Sequence, residues 1–180
     1  MNINQKRQKY LFFTINIIGG SLVLFSYAHG LITHVDLRDS LWGGIPGNIK
    51  PFYVVSMFMA AFGYFFFTNY ILKKIFFNEN DNLSLLRLIN ILYAGIIFPS
   101  VMWMPMTFEY LLNGSIELWW LIRMVLFVVG VSSSLLFILL LFFNFKNKSN
   151  FQLMSIVGIF FFWVQTMILD ALVWPIYFNV

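Results

Sequence analysis

The sequence predicts an all-α polytopic membrane protein, a five-transmembrane-helix bundle forming a single integral membrane domain over residues 1–180. Three observations predict it. Apolar runs recur along the chain, each near the length of about 20 residues that spans a hydrocarbon core. Charged residues make up only 10% of the chain and hydrophobic ones 61%. A soluble domain carries about 25% charged residues, so too few charges are present to cover a water-facing surface. Third, the basic residues gather at the ends of the apolar runs, where they read as topology signals.

The first helix is expected over residues 10–33. Lys6, Arg7 and Lys9 precede it, as in a signal peptide, but the apolar run is too long for a signal h-region and lacks a small-residue cleavage site, so a retained helix is expected. A polar stretch over residues 34–50 contains Asp36, Arg38, Asp39 and Trp42. The second helix is expected over 51–72, with Pro51 suited to its first turn and Lys73-Lys74 ending it. A polar turn over 78–82 leads to a third helix over 85–107, which Pro99 and Pro105 can kink. Asn113-Gly114 marks a tight turn before the fourth helix, 118–143. Lys146, Lys148 and Asn150 form the next loop, and the fifth helix is expected over 151–174, closed by Pro175.

Five spans place Lys6, Arg7, Lys9, Lys73, Lys74, Arg87, Lys146 and Lys148 on one side, eight of the eleven Lys and Arg. The positive-inside rule then gives a cytoplasmic N-terminus and a C-terminus outside or in a lumen. The formal charge of +4 is thereby explained as topology, and nucleic acid is not an expected partner. The expected surroundings are the lipid bilayer. Gly130 with Ser134 and Ser56 with Ala60 have small-xxx-small spacing, which serves packing inside the bundle or, as the alternative, a homodimer seam. The 23 Phe are read as lipid-facing bulk and core.

No cysteine is present, which removes disulfides, thiolate ligands and cysteine nucleophiles. His29 and His34 stand five apart and cannot sandwich a haem between two helices. No Gly-rich phosphate loop or Gly-x-Ser-x-Gly elbow occurs. No cofactor, metal site or catalytic residue is therefore expected.

Ionisable groups within an apolar span need a partner or a cavity. Counted along ideal helices, Arg123 and Asp170 each lie about 8–9 Å inside the outer boundary, on consecutive antiparallel helices, so an ion pair between them is expected. Trp163, Thr166, Asp170 and Trp174 share a face in α-helical spacing, while Gln165 points elsewhere. His29, Trp103, Glu109, Arg123 and Asp170 gather in the outer half, with the 34–50 loop as a roof carrying Trp42. Trp119 and Trp120 read as an interfacial belt. The candidate ligand-binding residues are therefore His29, Trp42, Trp103, Glu109, Arg123, Trp163 and Asp170.

The layout resembles the TspO/translocator family of tryptophan-rich sensory proteins. The residues carrying the likeness are Trp42 and Pro46 in the first loop, Lys50-Pro51 entering helix two, Asn90 with Pro99, Trp103 and Pro105 in helix three, and Trp163 in helix five. Asp170 stands near where that family tends to place an asparagine, and the family's dense Trp/Pro pattern in the first loop is absent. The resemblance implies porphyrin- or sterol-like ligands in a pocket under loop one. A fainter likeness, His29 followed by Asp36, is to the emopamil-binding/sigma-2 group, and implies proton movement on a sterol. The expected function is binding of a hydrophobic small molecule, sterol-, lipid- or porphyrin-like, in an outer-leaflet pocket. An accessory subunit of a larger membrane complex and a sterol-isomerase-like enzyme are the alternatives.

Overall fold

The computed structural model describes residues 3–76, 82–142 and 150–178. The described residues hold five helices long and apolar enough to cross a membrane: α1 (Ile3–Thr33), α2 (Lys50–Phe76), α3 (Leu83–Asn113), α4 (Ile116–Phe142) and α5 (Asn150–Tyr177). No strand occurs among them. The expected turn at 78–82, apart from Asn82, and the loop lysines Lys146 and Lys148 fall outside the described residues, as does Phe143 at the expected end of helix four.

Helix ends differ from the expectation where local chemistry extends a helix. α1 begins at Ile3, so Lys6, Arg7 and Lys9 lie on its first turns rather than before it. α3 starts behind Asn82, whose side chain accepts from the Ser84 N–H at 2.9 Å, a standard N-cap. It continues past Pro105 to Asn113 and ends at Gly114 in a left-handed conformation, with the Gly114 N–H on the Tyr110 carbonyl at 2.8 Å. α5 passes Pro175, which stands in the first turn of a final α-helical segment where its missing N–H costs least.

Three stretches are π-helical: Ile15–Gly19, Leu72–Phe76 and Val164–Val173. In such turns the hydrogen bond runs i→i+5, so side chains five apart come together. The long π-helical stretch of α5 decides the site.

Packing runs α1–α3–α4–α5–α2 around the bundle. α2 and α5 approach most closely at Gly63 and Gly158, where a Cβ on either would collide with the backbone of the other. Gly130 lies on the α4–α5 seam, where an added Cβ would meet Met167 Sδ at 2.8 Å, and Ser134 Oγ accepts from Trp163 Nε1 at 2.9 Å. The Gly130/Ser134 face is thus used for packing inside the bundle.

α1 and α2 close on each other at the end bearing Lys6, Arg7, Lys73, Lys74 and Arg87. There Phe12 lies 4.4 Å from Phe76 and 4.8 Å from Tyr93, and Tyr64 donates to Asn16 Oδ1 at 2.6 Å. Asn90 Nδ2 donates to the Gln8 carbonyl at 2.9 Å, joining α3 to α1. This end holds the larger buried core, with Phe67, Tyr70, Tyr93, Ile89 and Leu136 among its members. A smaller core at the opposite end gathers Ile45, Tyr53, Ile122, Trp174 and Phe178 beside the segment joining α1 to α2.

Candidate functional site

Between the two cores lies a cavity of about 520 Å³, lined from all five helices and the 34–49 segment. That segment is held down as a roof. Trp174 Nε1 donates to the Leu41 carbonyl at 2.9 Å, and the Gly44 N–H donates to the Tyr177 carbonyl at 2.6 Å. Gly43 takes φ 54° with Phe178 Cα 2.9 Å from where a Cβ would stand, so both its conformation and its space require glycine. Arg38 Nε donates back to the Leu31 carbonyl at 2.6 Å, fixing the start of the roof to the end of α1.

Six aromatic side chains, Tyr27, Trp42, Tyr53, Trp103, Phe162 and Trp174, contribute to the lining. Tyr27 lies 5.6 Å from Trp103, and Trp103 lies 5.9 Å from Trp174 at 72°. Trp42 meets Tyr53 edge-on at 6.4 Å, and Lys50 Nζ sits 5.6 Å from the Trp42 ring centre. Against these rings stands the α5 carboxyl group of Asp170, whose Oδ1 accepts from Gln165 Nε2 at 2.7 Å; the roof adds a second, Asp39. No ion pair to Asp170 is formed among the described residues; the basic side chain lining the same cavity, Arg38, is engaged with Leu31 and neighbours Asp39. Two lining residues carry buried polar atoms with no hydrogen-bond partner: Trp103 Nε1, a donor, and Gln165 Oε1, an acceptor. Native proteins pair nearly all such atoms, and an unpaired one calls for a partner such as a water or a ligand.

Of the residues expected from the sequence, Trp42, Trp103 and Asp170 line this cavity. The other four do not. His29 is exposed on the outer face of α1, 5.8 Å from Phe25. Glu109 is exposed and hydrogen-bonded to Asn113 one turn on. Trp163 packs against Phe137 at 5.7 Å and donates to Ser134, on the α4–α5 seam. Arg123 is exposed, with its guanidinium 5.0 Å from the Trp120 ring, in a separate groove of about 470 Å³ with Tyr110, Trp119 and Phe178.

The expected Arg123–Asp170 ion pair is therefore absent. The two residues were matched by depth alone, which says nothing about the direction of a side chain around its helix axis. Trp119 is likewise more than a belt residue, stacking on Phe178 at 5.6 Å and on Tyr110 at 5.5 Å.

Comparison with family models, with curated proteins and with solved structures finds no match to this chain.

The residues that complete the site were missed for two reasons. Tyr27 lies between Val23 and Leu31 at four-residue spacing, and Tyr53 precedes Met57 and Ala60–Ala61 in helical spacing, so both faces could have been read from the sequence. Gln165 could not. In α-helical spacing it points away from Asp170, and only the i→i+5 turn brings the two amide and carboxyl groups together. Tyr53 marks the same distortion by donating to the Leu169 carbonyl inside the π-helical stretch at 3.2 Å.

Proposed function

We propose that this chain is a multi-pass integral membrane protein that binds a hydrophobic small molecule, sterol-, lipid- or porphyrin-like, in the roofed cavity and without chemical turnover. The observation that carries the reading is a cavity with six aromatic side chains in its lining, two of whose lining residues carry unpartnered buried polar atoms, in a bundle whose other half packs its side chains against one another. Its volume of about 520 Å³ falls within the range of small-molecule sites, about 300–1,000 Å³. A pocket under the first loop is also what the resemblance to the TspO/translocator family implies.

The route to the cavity favours a membrane-dissolved ligand. The roof is hydrogen-bonded shut onto α5, whereas α1 and α2, though consecutive, share no extended packing beside the cavity. Met57 on α2 and Val23 on α1 both line the cavity, and Met57 is also exposed on the outside of the bundle. The basic residues Lys6, Arg7, Lys73, Lys74 and Arg87 lie at the opposite end, so the positive-inside rule would put the cavity in the outer leaflet, with the N-terminus cytoplasmic and the C-terminus outside or lumenal. The absence of native cysteine makes single-cysteine labelling clean: a cysteine after Phe178 should react from outside, and labelling only from the cytoplasmic face would contradict the orientation.

No histidine lines the cavity, so the isomerase alternative has no imidazole beside Asp170. The test of the binding reading is gentle detergent purification followed by mass spectrometry of retained small molecules. Trp103→Ala and Asp170→Asn should lower the retained ligand while the protein stays folded. Stoichiometric partner chains, with retention indifferent to both substitutions, would favour the accessory subunit.

A further inference from the structure

We infer that the molecule held in this cavity carries a protonated amine, received by Asp170 and the Gln165 Oε1 atom and enclosed by the rings of Trp42, Trp103, Trp174, Tyr27 and Tyr53. The inference rests on the binding reading above and adds the charge of the ligand.

Three features of the geometry lead there. The first is an acid with no basic partner. A carboxylate in an apolar span is tolerated when it is paired or faces a cavity, and Asp170 has only a neutral amide as partner. Arg38, which also lines the cavity, is turned to the Leu31 carbonyl and has Asp39 beside it, and Lys50 Nζ sits 5.6 Å from the Trp42 ring centre, so neither cation is paired with Asp170.

The second feature is the kind of hydrogen-bonding atom left over. Gln165 is 6% exposed. Its Nε2 is spent on Asp170 Oδ1, and the Oε1 of the same planar amide is unpartnered. The free Gln165 oxygen and the carboxyl group therefore form two neighbouring acceptors. An ammonium offers up to three N–H donors and no acceptor, which satisfies both. A hydroxyl has a single proton and satisfies one of them. A ligand carboxylate has no donor and would face Asp170 with like charge. The spare donor on Trp103, Nε1, suits an oxygen elsewhere on the molecule.

The third feature is the lining. Trp and Tyr faces attract a cation within about 6 Å through their ring quadrupoles, most strongly where water is excluded. Here Trp42 and Tyr53 stand edge to face, and Tyr27, Trp103 and Trp174 follow one another at 5.6 and 5.9 Å. The rings would enclose the charged head and the apolar remainder would fill the rest of the cavity.

The test uses three probes with one apolar skeleton and three heads: adamantan-1-amine, adamantan-1-ol and adamantane-1-carboxylate. The whole chain is held in nanodiscs of zwitterionic phosphatidylcholine, which removes bulk attraction of a cation to the bilayer. Binding is followed by tryptophan fluorescence and checked by equilibrium dialysis. The wild-type protein should bind the amine at least about tenfold more tightly than the alcohol, with the carboxylate weakest, as expected when a hydrogen bond becomes charge-assisted. Asp170→Asn should bring the ratio of amine to alcohol affinity down by about tenfold. An alcohol or carboxylate that equals the amine on the wild-type protein overturns the inference, and that comparison needs no variant to fold. An amine-to-alcohol ratio unchanged in Asp170→Asn overturns it as well. Ala60→Phe, which fills the cavity, separates the two levels. Alcohol binding abolished by Ala60→Phe, with the amine no tighter, overturns the charge assignment alone. Binding of all three probes that is indifferent to Ala60→Phe overturns the cavity reading with it.

Discussion

The two ends of the bundle are built from the same kinds of residue and do opposite things with them. At the basic end, rings fill space: Phe12 is wedged between Phe76 and Tyr93, and Phe67 lies 5.4 Å from Phe162. Polar groups there bridge helices, as Thr68 does with Tyr93 at 2.8 Å and Tyr64 with Asn16, although Asn90 Oδ1 has no partner. At the roofed end, Trp and Tyr rings face a void, and polar atoms on Trp103 and Gln165 lack partners. For helices that do lie in lipid, the hydrophobic effect gives no net drive to associate, and close packing and hydrogen bonds would hold the bundle together. The basic end supplies both. That leaves the roofed end free to keep a space open.

If this division is right, substitutions should sort by end. The largest loss of stability should come from Phe67→Ala, a fully buried ring at the basic end, at about 3–5 kcal/mol by reversible unfolding in detergent. Next is Gly158→Ala, because its Cβ would meet the Gly63 backbone, which cannot rotate out of the way; about 1–3 kcal/mol is expected, with a lowered melting temperature. Trp103→Ala at the roofed end should cost less than Phe67→Ala despite removing a larger side chain, since part of that ring already faces empty space. Equal losses for Phe67→Ala and Trp103→Ala would break the comparison. Smallest should be Thr68→Val, which removes one interhelical hydrogen bond, at about 0.6 kcal/mol.

The fold was readable because its determinants are one-dimensional. Length and hydropathy mark the five helices, and the basic clusters mark their shared end without any knowledge of packing. Helix ends shifted where caps decide them, as at Asn82 and Gly114. The site was readable only in part. Trp42, Trp103 and Asp170 followed from depth and from the roof loop, because a polar or aromatic residue at that level has few other places to go. Depth fails for rotation about the axis. Arg123 and Asp170 share a level and face different surroundings, and His29 and Glu109 reach the same end of the bundle on its outside. The π-helical stretch Val164–Val173 then turned Gln165 toward Asp170 and left Trp163 on the α4 seam, a change that no α-helical count contains.

The most direct test is to fill the space. Ala60 is 5% exposed and lines the cavity from α2, so Ala60→Phe would place a ring in the void with room to accept it. Wild-type protein and this variant, purified side by side in mild detergent, would be compared by native mass spectrometry and thermal unfolding. The account predicts a small molecule carried by the wild type and lost from Ala60→Phe, with the variant at least as stable once both are stripped of ligand. A variant that keeps the same molecule at the same occupancy would contradict it.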